Sequence, residues 1–179
     1  MEQTKILLDR LKDSETKHKA FECIVRDYSP LLYQQIRRMV TWHEDADDVL
    51  QNTFLKAWNS IEGFRGDSSI STWLFRIAYN ESLTFLSKKR DFYSLSDVEQ
   101  TELRSIECDP YFDGNEIQIK LEKALQTLPN KQKAVFCLKY FEEKKYEEIS
   151  SILNTSVGAL KASYHLAIKK IQKYFDECD

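Results

Sequence analysis

The sequence predicts an all-α protein made of two small helical domains, which an acidic flexible linker joins and the second of which is a helix-turn-helix. Apolar residues recur at steps of three and four along most of the chain, which is the spacing of one helix face. The 179 residues include only four glycines and three prolines, the residues that interrupt helices most strongly. Residues 91–116 break this pattern with eight acids against one base, together with Pro110 and Gly114, which is typical of a solvated tether. We therefore expect domains at residues 1–90 and 117–179.

Composition argues against several classes of protein. The net charge of −3 gives no overall sign of nucleic-acid binding, so such a role has to rest on local basic patches. The cysteines lack the spacing of a zinc site, which predicts reduced thiols in a cytoplasmic protein without metal or cofactor: Cys23, Cys108, Cys137 and Cys178. Met1 leads directly into charged residues and no apolar run reaches about 18 residues, so we expect neither a signal peptide nor membrane contact.

The first domain begins with two amphipathic helices. The first, Glu2–Lys12, is short and is expected only to pad the domain. The second, Ala20–Trp42, contains Pro30. Because proline has no N–H for the interior hydrogen bond, it either kinks this helix or starts a new one. A turn at Thr41–Glu44 is predicted to follow.

The next helix begins in an acidic cluster and buries one apolar face. Its apolar residues recur in helical steps: Val49, Leu50, Phe54, Ala57, Trp58 and Ile61. The side chains at its start invite a metal hypothesis: His43, Glu44, Asp45, Asp47 and Asp48. Their spacing matches no known set of ligands, so an acidic cap that offsets the helix dipole is the favoured interpretation.

A polar loop at residues 64–69 leads into a helix with two chemically different sides. Gly66 gives the loop conformational freedom, and any of three serines can cap the helix: Ser68, Ser69 or Ser71. The helix is mostly apolar, but one side is predicted to carry Ser69, Trp73, Arg76, Asn80, Thr84 and Ser87. A buried helix with a cationic end, Lys88–Arg90, explains these residues. A nucleic-acid face explains them equally, because aromatic rings stack on unpaired bases while arginine and asparagine bond base edges.

The second domain is predicted to hold four helices, of which the last two form a helix-turn-helix. The first runs from Ile117 to Leu128, and Pro129 suits the first position of the next. The last two are a short helix at Tyr146–Leu153 and a longer one that Thr155 or Ser156 can cap.

Charge and side-chain size favour DNA binding over an ordinary helical hairpin in this second domain. Residues 155–175 include four lysines and no acid. The outward face of the last helix is expected to hold Gly158, Ala159, Lys161, Ala162, Ser163 and His165. Small residues let the backbone approach the major groove and lysines reach phosphates. His165 is also explained as a neutral surface residue.

Asp45–Asn80 resembles the second conserved region of bacterial sigma factors of the extracytoplasmic-function (ECF) group, in the sigma-70 family. That pattern has an acidic helix start, Gln-x-Thr-Phe-Leu-x-Ala-Trp, Phe-Arg-Gly, a serine pair and Thr-Trp-Leu-x-Arg-Ile-Ala-x-Asn. The residues that match it are Gln51, Thr53, Phe54, Leu55, Ala57, Trp58, Phe64, Arg65, Gly66, Thr72, Trp73, Leu74, Arg76, Ile77, Ala78 and Asn80.

The second half resembles the fourth conserved region of the same family. The matching segments are Leu128–Pro129, Val135–Tyr140, Tyr146–Ile149 and Ser156–Lys161. The sequence departs from the pattern where relatives have a Gly-x-Ser lead, here Glu143-Lys144-Lys145, and where they have basic residues, here Ser163, Leu166 and Ile168. These departures affect a helix cap and DNA-facing positions, so no promoter sequence is transferred from relatives.

The resemblance implies an alternative sigma factor, which binds core RNA polymerase, directs it to promoter DNA and helps to melt that DNA without itself being an enzyme. The residues implied at the polymerase clamp helices are Asp48, Gln51, Asn52, Phe54, Leu55, Lys56 and Trp58, of which Phe54 and Trp58 also suit the core. Those implied at the −10 element are Phe64, Arg65, Gly66, Asp67, Ser68, Ser69, Thr72, Trp73, Arg76, Asn80, Thr84, Lys88, Lys89 and Arg90. Those implied at the −35 element are Thr155, Ser156, Gly158, Ala159, Lys161, Ala162, Ser163, His165 and Lys169. The second domain is also expected to contact the polymerase flap.

The resemblance also bears on further partners and on the alternative functions. In this family the linker threads polymerase channels used by RNA, whose charge an acidic chain could imitate. Relatives are often held inactive by a membrane-anchored anti-sigma factor, which makes such a factor a candidate partner, although no residue identifies one. An autonomous helix-turn-helix regulator is the alternative function, and the long match in Asp45–Asn80 argues against it. A helical hydrolase or metal enzyme is weaker still, because no nucleophile–base pair or phosphate-binding glycine loop is present in the sequence.

Overall fold

The structure, a computed structural model, describes residues 10–11, 13–92 and 116–178, with side chains in the first half described as far as Lys89. The predicted helix Glu2–Lys12 lies almost wholly outside the described residues, although Leu11 is buried in the core. Residues 93–115 of the predicted linker also lie outside them. Asp91 and Phe92, which were expected in the linker, are the last residues of a helix, and Glu116 begins the next helix that the structure describes.

The described residues form α-helices and contain no strand, which confirms the all-α prediction. The helices are α1 (Lys17–Val40), α2 (His43–Ser60), α3 (Ile70–Phe92), α4 (Glu116–Gln126), α5 (Asn130–Tyr140), α6 (Tyr146–Leu153) and α7 (Val157–Glu177). A single 3₁₀ turn, Ile61–Gly63, follows α2. The predicted bounds are met to within a few residues, since helix ends are the least sharply defined part of a helix.

Pro30 lies inside α1, which continues through it from Lys17 to Val40. The alternative in which Pro30 starts a second helix is therefore wrong. Pro30 is exposed, so the carbonyl of Arg26, which loses its helical donor there, lies on the side where water can replace it. The helix ends at Thr41, which has a φ of 71° and turns the chain directly into α2.

The first three helices pack against one another around a shared apolar core. Each contributes one buried stripe, and the deeply buried members include Ile24, Leu32, Ile36, Met39, Val49, Ala57, Leu74, Phe75 and Ala78. Two buried hydroxyls on these stripes bond the carbonyl one turn earlier: Thr53 donates to Val49 at 2.7 Å and Ser82 donates to Ala78 at 2.9 Å. These polar atoms are therefore satisfied inside the core.

The second half has its own apolar cluster between α4, α5 and α7. Its buried members are Ala124, Leu125, Leu128, Phe136, Cys137, Ala167 and Ile171. Burial raises the pKa of the Cys137 thiol to about 12, so this cysteine stays protonated in the core. Pro129 lies immediately before α5 rather than as its first residue.

A tight turn between α6 and α7 completes the predicted helix-turn-helix. Asn154 ends α6 with a φ of 49°, the left-handed conformation that asparagine tolerates better than most residues. Ser156 immediately precedes α7, and its side chain accepts a hydrogen bond from the N–H of Ala159 at 3.4 Å. Of the two predicted caps, Thr155 and Ser156, the structure therefore uses Ser156.

The loop between α2 and α3 has a defined conformation. Gly66 has a φ of 78°, which favours glycine over any residue with a side chain. Ser69 accepts a hydrogen bond from the N–H of Thr72 at 3.0 Å, and the two hydroxyls are 2.9 Å apart. Of the three serines predicted as caps, Ser69 is therefore the one that caps α3.

Gly66→Ala is expected to lower the free energy of unfolding by about 1–2 kcal/mol, because a β-carbon is strained at a positive φ. The matched control is Gly158→Ala in α7, where nothing lies within 4 Å of an added methyl group. That control is expected to raise stability by about 0.5–1 kcal/mol, because alanine is the better helix former. Urea unfolding followed by circular dichroism measures both. Equal stability of the two variants would contradict the assigned loop conformation.

Candidate nucleic-acid interface

A small open cavity lies between the α2–α3 loop and the first turns of α3. It has a volume of about 270 Å³ and is lined by Gly63, Phe64, Arg65, Asp67, Ser68, Trp73 and Arg76. A cavity of about 150 Å³ already accommodates a benzene ring, so this one has room for a single planar base. The loop and the helix that the sequence predicts to act together thus form one concave surface.

Aromatic and charged groups surround this cavity in a fixed arrangement. The rings of Phe64 and Trp73 lie 5.1 Å apart between centroids and are tilted by 38°. Phe64 is buried and Trp73 is half-buried, so the pair is held by the core on one side and open on the other. Arg65, Asp67 and Arg76 are exposed around it. The arrangement offers a stacking surface together with donors and an acceptor for the edge of a base.

The polar side chains predicted to share one side of α3 do lie on its exposed side. Arg76, Asn80, Thr84 and Ser87 are all exposed, whereas Leu74, Phe75 and Ala78 on the other side are buried. Thr72 is also buried and bonded to Ser69, so its side chain supports the loop from within. Thr84 donates to the backbone carbonyl of Asn80 at 2.9 Å, and the side chain of Asn80 is exposed.

One of the basic residues at the end of α3 forms an ion pair within the protein. Lys88 is exposed, but the Nζ of Lys89 lies 2.8 Å from a carboxylate oxygen of Asp45, with both side chains largely buried. The same ammonium group lies 6.0 Å from the Trp42 ring centroid. The side chain of Arg90 falls outside the described part of the structure. Asp45 is 44 positions from Lys89 in sequence, so no local sequence pattern predicts this ion pair.

The outward face of α7 is basic and built from small side chains. Exposed residues on it are Ser156, Gly158, Ala159, Lys161, Ala162, His165 and Lys169, with Thr155 and Ser163 partly exposed. The Lys161 ammonium group lies 5.7 Å from the Tyr146 ring centroid, a contact that orients it beside the turn. In place of the serine cap that relatives have before α6, the Glu148 carboxylate accepts from the N–H of Lys145 at 2.9 Å. A glutamate at the third helical position is the sequence signal for this cap, which the sequence analysis missed.

The exposed side of α2 forms a third surface. Asp48, Gln51, Asn52, Leu55 and Lys56 are exposed, and Leu55 retains 60% of its surface in contact with solvent. Lys56 pairs with Glu81 of α3 at 2.5 Å. A single exposed apolar side chain is ordinary on a protein surface, so this side of α2 is mainly polar.

Phe54 and Trp58 of α2 instead face the start of α1. Their rings lie 6.4 Å and 5.0 Å from the ring of Phe21. Lys17 and His18 then cover Trp58, with the Lys17 ammonium group 4.6 Å and the His18 ring 4.7 Å from its centroid. Of the two uses that the sequence allows for Phe54 and Trp58, these contacts support a place in the core.

Residues at the acidic start of α2 make contacts with their neighbours. The Tyr33 hydroxyl is hydrogen-bonded to Nδ1 of His43, and Nε2 of His43 lies 3.4 Å from Asp47. Within residues 13–92 and 116–178, no three His, Cys, Asp or Glu side chains converge as metal ligands. No helix in those ranges is long and apolar enough to cross a membrane.

Both halves of the chain match known protein families. Residues 24–92 match sigma-70 region 2, and residues 118–171 match sigma-70 region 4. The chain is 32% identical over 164 residues to the ECF RNA polymerase sigma factor SigW of Bacillus subtilis, which covers 86% of this chain and 88% of that protein. It is 29% identical over 182 residues to the RNA polymerase sigma-H factor of Pseudomonas aeruginosa, which covers 96% and 93% of the two chains.

Two solved structures share the fold over nearly the whole chain. One is CnrH in complex with the cytosolic domain of CnrY, with a TM-score of 0.71 at 22% identity, covering 98% of this chain and 99% of that one. The other is the sigma factor RpoE in complex with the anti-sigma factor NepR from Bartonella quintana, with a TM-score of 0.69 at 22% identity, covering 88% and 98%. With both halves matched in order and a relative aligned over most of its length, the chain belongs to the ECF group of sigma-70 family RNA polymerase sigma factors.

Proposed function

We propose that this protein is an alternative sigma factor that binds core RNA polymerase, directs it to a set of promoters and helps to separate the DNA strands. The observation that carries the proposal is that one chain holds both a cavity for an unpaired base and a helix-turn-helix, each within its matching family region. The protein acts by binding rather than by catalysis, and it acts in the cytoplasm, where the polymerase is.

The cavity beside Trp73 is the proposed site of capture for a base of the −10 element. Taking a base out of the stack costs a few kcal/mol. Stacking on an aromatic side chain recovers about 1–3 kcal/mol per base, and the half-buried Trp73 ring, which packs on Phe64, provides such a surface. Arg76 and Asn80 lie on the same exposed side of α3 and can bond the edges of neighbouring bases. Capture of bases as they unpair would bias the DNA toward the open state.

The other two surfaces have complementary roles in the proposal. The outward face of α7, with Gly158 and Ala159 near its start, enters the major groove of the −35 element while Lys161 and Lys169 contact phosphates. The exposed side of α2 around Leu55 docks on the clamp helices of the polymerase. Solved relatives are complexes with NepR and CnrY, and an anti-sigma factor is accordingly a candidate partner of this protein.

Transcription in vitro tests the proposed function directly. Sheared genomic DNA is transcribed by core polymerase with and without the protein, and the transcript starts are mapped. New starts that share two upstream motifs at a fixed spacing are expected. If folded protein adds no starts to a core enzyme that responds to another sigma factor, the proposal fails and the autonomous regulator, which would bind duplex DNA without polymerase, becomes the better hypothesis.

Arg76→Ala combined with Asn80→Ala is expected to slow promoter opening by about tenfold or more, because contacts to base edges are worth about 1–3 kcal/mol each. Binding to core polymerase is expected to stay unchanged, since neither residue lies on the α2 surface. Permanganate reactivity of unpaired thymines measures opening. Ser87→Ala, on the same side of α3 but farther from the cavity, is the matched control. A double variant that opens promoters at the normal rate would exclude base capture by these residues.

Lys161→Ala is expected to weaken binding to the −35 element and to reduce the slope of log affinity against log salt by about one, because one phosphate contact is lost. The comparison is made with holoenzyme on promoter DNA across a series of salt concentrations. Lys131→Ala, which removes an exposed lysine at the start of α5, is the control and should leave the slope unchanged. Identical slopes for both variants would place Lys161 away from the DNA.

A further inference from the structure

An exposed leucine lies in the middle of the outward face of α7. Leu166 retains 48% of its surface in contact with solvent. Ala162, four positions earlier and therefore one turn away on the same side of the helix, is also exposed. The opposite side of the helix is buried and holds Leu160, Ala167 and Ile171. Leu166 and Ala162 thus form a small apolar surface that the described part of the chain leaves uncovered.

The charges around Leu166 indicate what kind of partner covers it. A lone exposed leucine is ordinary on a protein surface, so its surroundings decide what it means. Lys169 and Lys170, three and four positions later, are exposed next to it, and Lys161 is exposed on the same helix. Residues 155–175 include no acid. A surface of this charge suits the phosphates of a nucleic acid, so DNA is the partner that the charge favours.

Hydrogen-bonding readers of base sequence are sparse on this part of α7. Arginine, asparagine, glutamine, aspartate and glutamate bond the edges of particular bases in the major groove. None of these five residue types occurs between Val157 and Ile168. Lys161 and His165 are the exposed donors that remain, since Ser163 is partly buried. Apolar contact is therefore left to supply part of the base preference.

The major groove offers one methyl group for such a contact, the C5 methyl of thymine. Gly158 and Ala162, which precede Leu166 by two turns and one turn, are small enough to let the helix approach the base edges. Leu166 then projects as the large apolar side chain of this face. Packing it against a methyl group buries apolar surface on both sides. Packing it against a polar base edge would cost that edge its hydrogen bonds with water.

We infer that Leu166 is a specificity-determining residue of α7, which packs against the C5 methyl group of a thymine in the −35 element. The inference rests on the proposed function, because it needs α7 in the major groove. Lys161 and Lys169 contact phosphates without regard to base sequence, whereas Leu166 favours one base over the other three. The promoters that this protein selects therefore share a thymine at one position of the −35 element.

Removal of the methyl group alone tests this contact. Each thymine of a mapped −35 element is replaced in turn by deoxyuridine, which keeps every hydrogen-bonding group of thymine and lacks the C5 methyl. Competition between duplexes measures binding of the holoenzyme. Binding is expected to weaken about fourfold at one position, the ratio that corresponds to burial of one methyl group. Deoxyuridine outside the two promoter elements is the control. Equal binding of every −35 duplex would overturn the inference.

Leu166→Ala tests whether this residue makes the contact. The variant shortens the side chain and keeps the helix, because alanine is the best helix former. It is expected to bind the thymine and deoxyuridine duplexes equally, so that the fourfold difference disappears. Leu31→Ala, which shortens an exposed leucine of α1, is the matched control and should keep the difference. A difference that persists in Leu166→Ala would assign the methyl contact to another residue and refute the role of Leu166.

Leu166→Arg tests the assignment by a change of preference. Arginine bonds O6 and N7 of guanine in the major groove, which leucine cannot do. When promoters with each of the four bases at the methyl-sensitive position compete for holoenzyme, the preferred base is expected to change from thymine to guanine. A role of Leu166 in stability alone would produce no such exchange. A variant that still prefers thymine would contradict the inference.

These experiments separate the inference from the proposed function. A holoenzyme that binds no promoter refutes the sigma-factor assignment itself. A holoenzyme that initiates from its promoters but binds thymine and deoxyuridine equally keeps that assignment and refutes only the thymine contact.

Discussion

The burial of one side of α3 is the constraint on which the rest of the structure depends. Leu74, Phe75 and Ala78 are fully buried in the core of α3, and α1, α2 and α6 all pack against this helix. That burial fixes the rotation of the helix about its axis, and rotation decides where the opposite side points. Arg76 and Asn80 are exposed together beside the cavity for this reason, without any contact that holds them there individually.

Local features of the protein were predictable from sequence because they depend on residues close together in the chain. Helical spacing gives the polar side of α3, and the caps at Ser69 and Ser156 follow from short polar side chains at helix starts. Contacts between distant segments were not predictable in this way. The Asp45–Lys89 ion pair and the packing of α6 on α3 join residues whose sequence neighbours carry no sign of the partner. The apolar residues of α5 serve two cores: Ala134, Val135 and Leu138 join that of the first three helices, whereas Phe136 and Cys137 lie in the cluster with α4 and α7.

The polar contacts between the halves of the chain contribute less to stability than their burial suggests. Arg38 of α1 and its two carboxylate partners in the second half, Glu122 and Glu142, are separated by 3.7 Å, which is longer than a hydrogen bond, and Nη1 of Arg38 lacks a hydrogen-bond partner among the described atoms. A buried ion pair contributes less than well-packed apolar residues of the same volume would, because desolvation offsets most of the attraction. Such a pair therefore adds little to the stability that the apolar residues between the halves already provide.

The shared core also makes some positions of the helix-turn-helix serve both halves of the chain. Ile149 and Ile152 of α6 are buried in the core that α1, α2 and α3 form. A substitution there would therefore disturb the half that carries the cavity as well as its own. Gly158, Lys161 and His165 on the outward face of α7 are exposed and lie outside that core. Residues on that face can thus vary at little cost in stability, whereas the inward residues of α6 cannot.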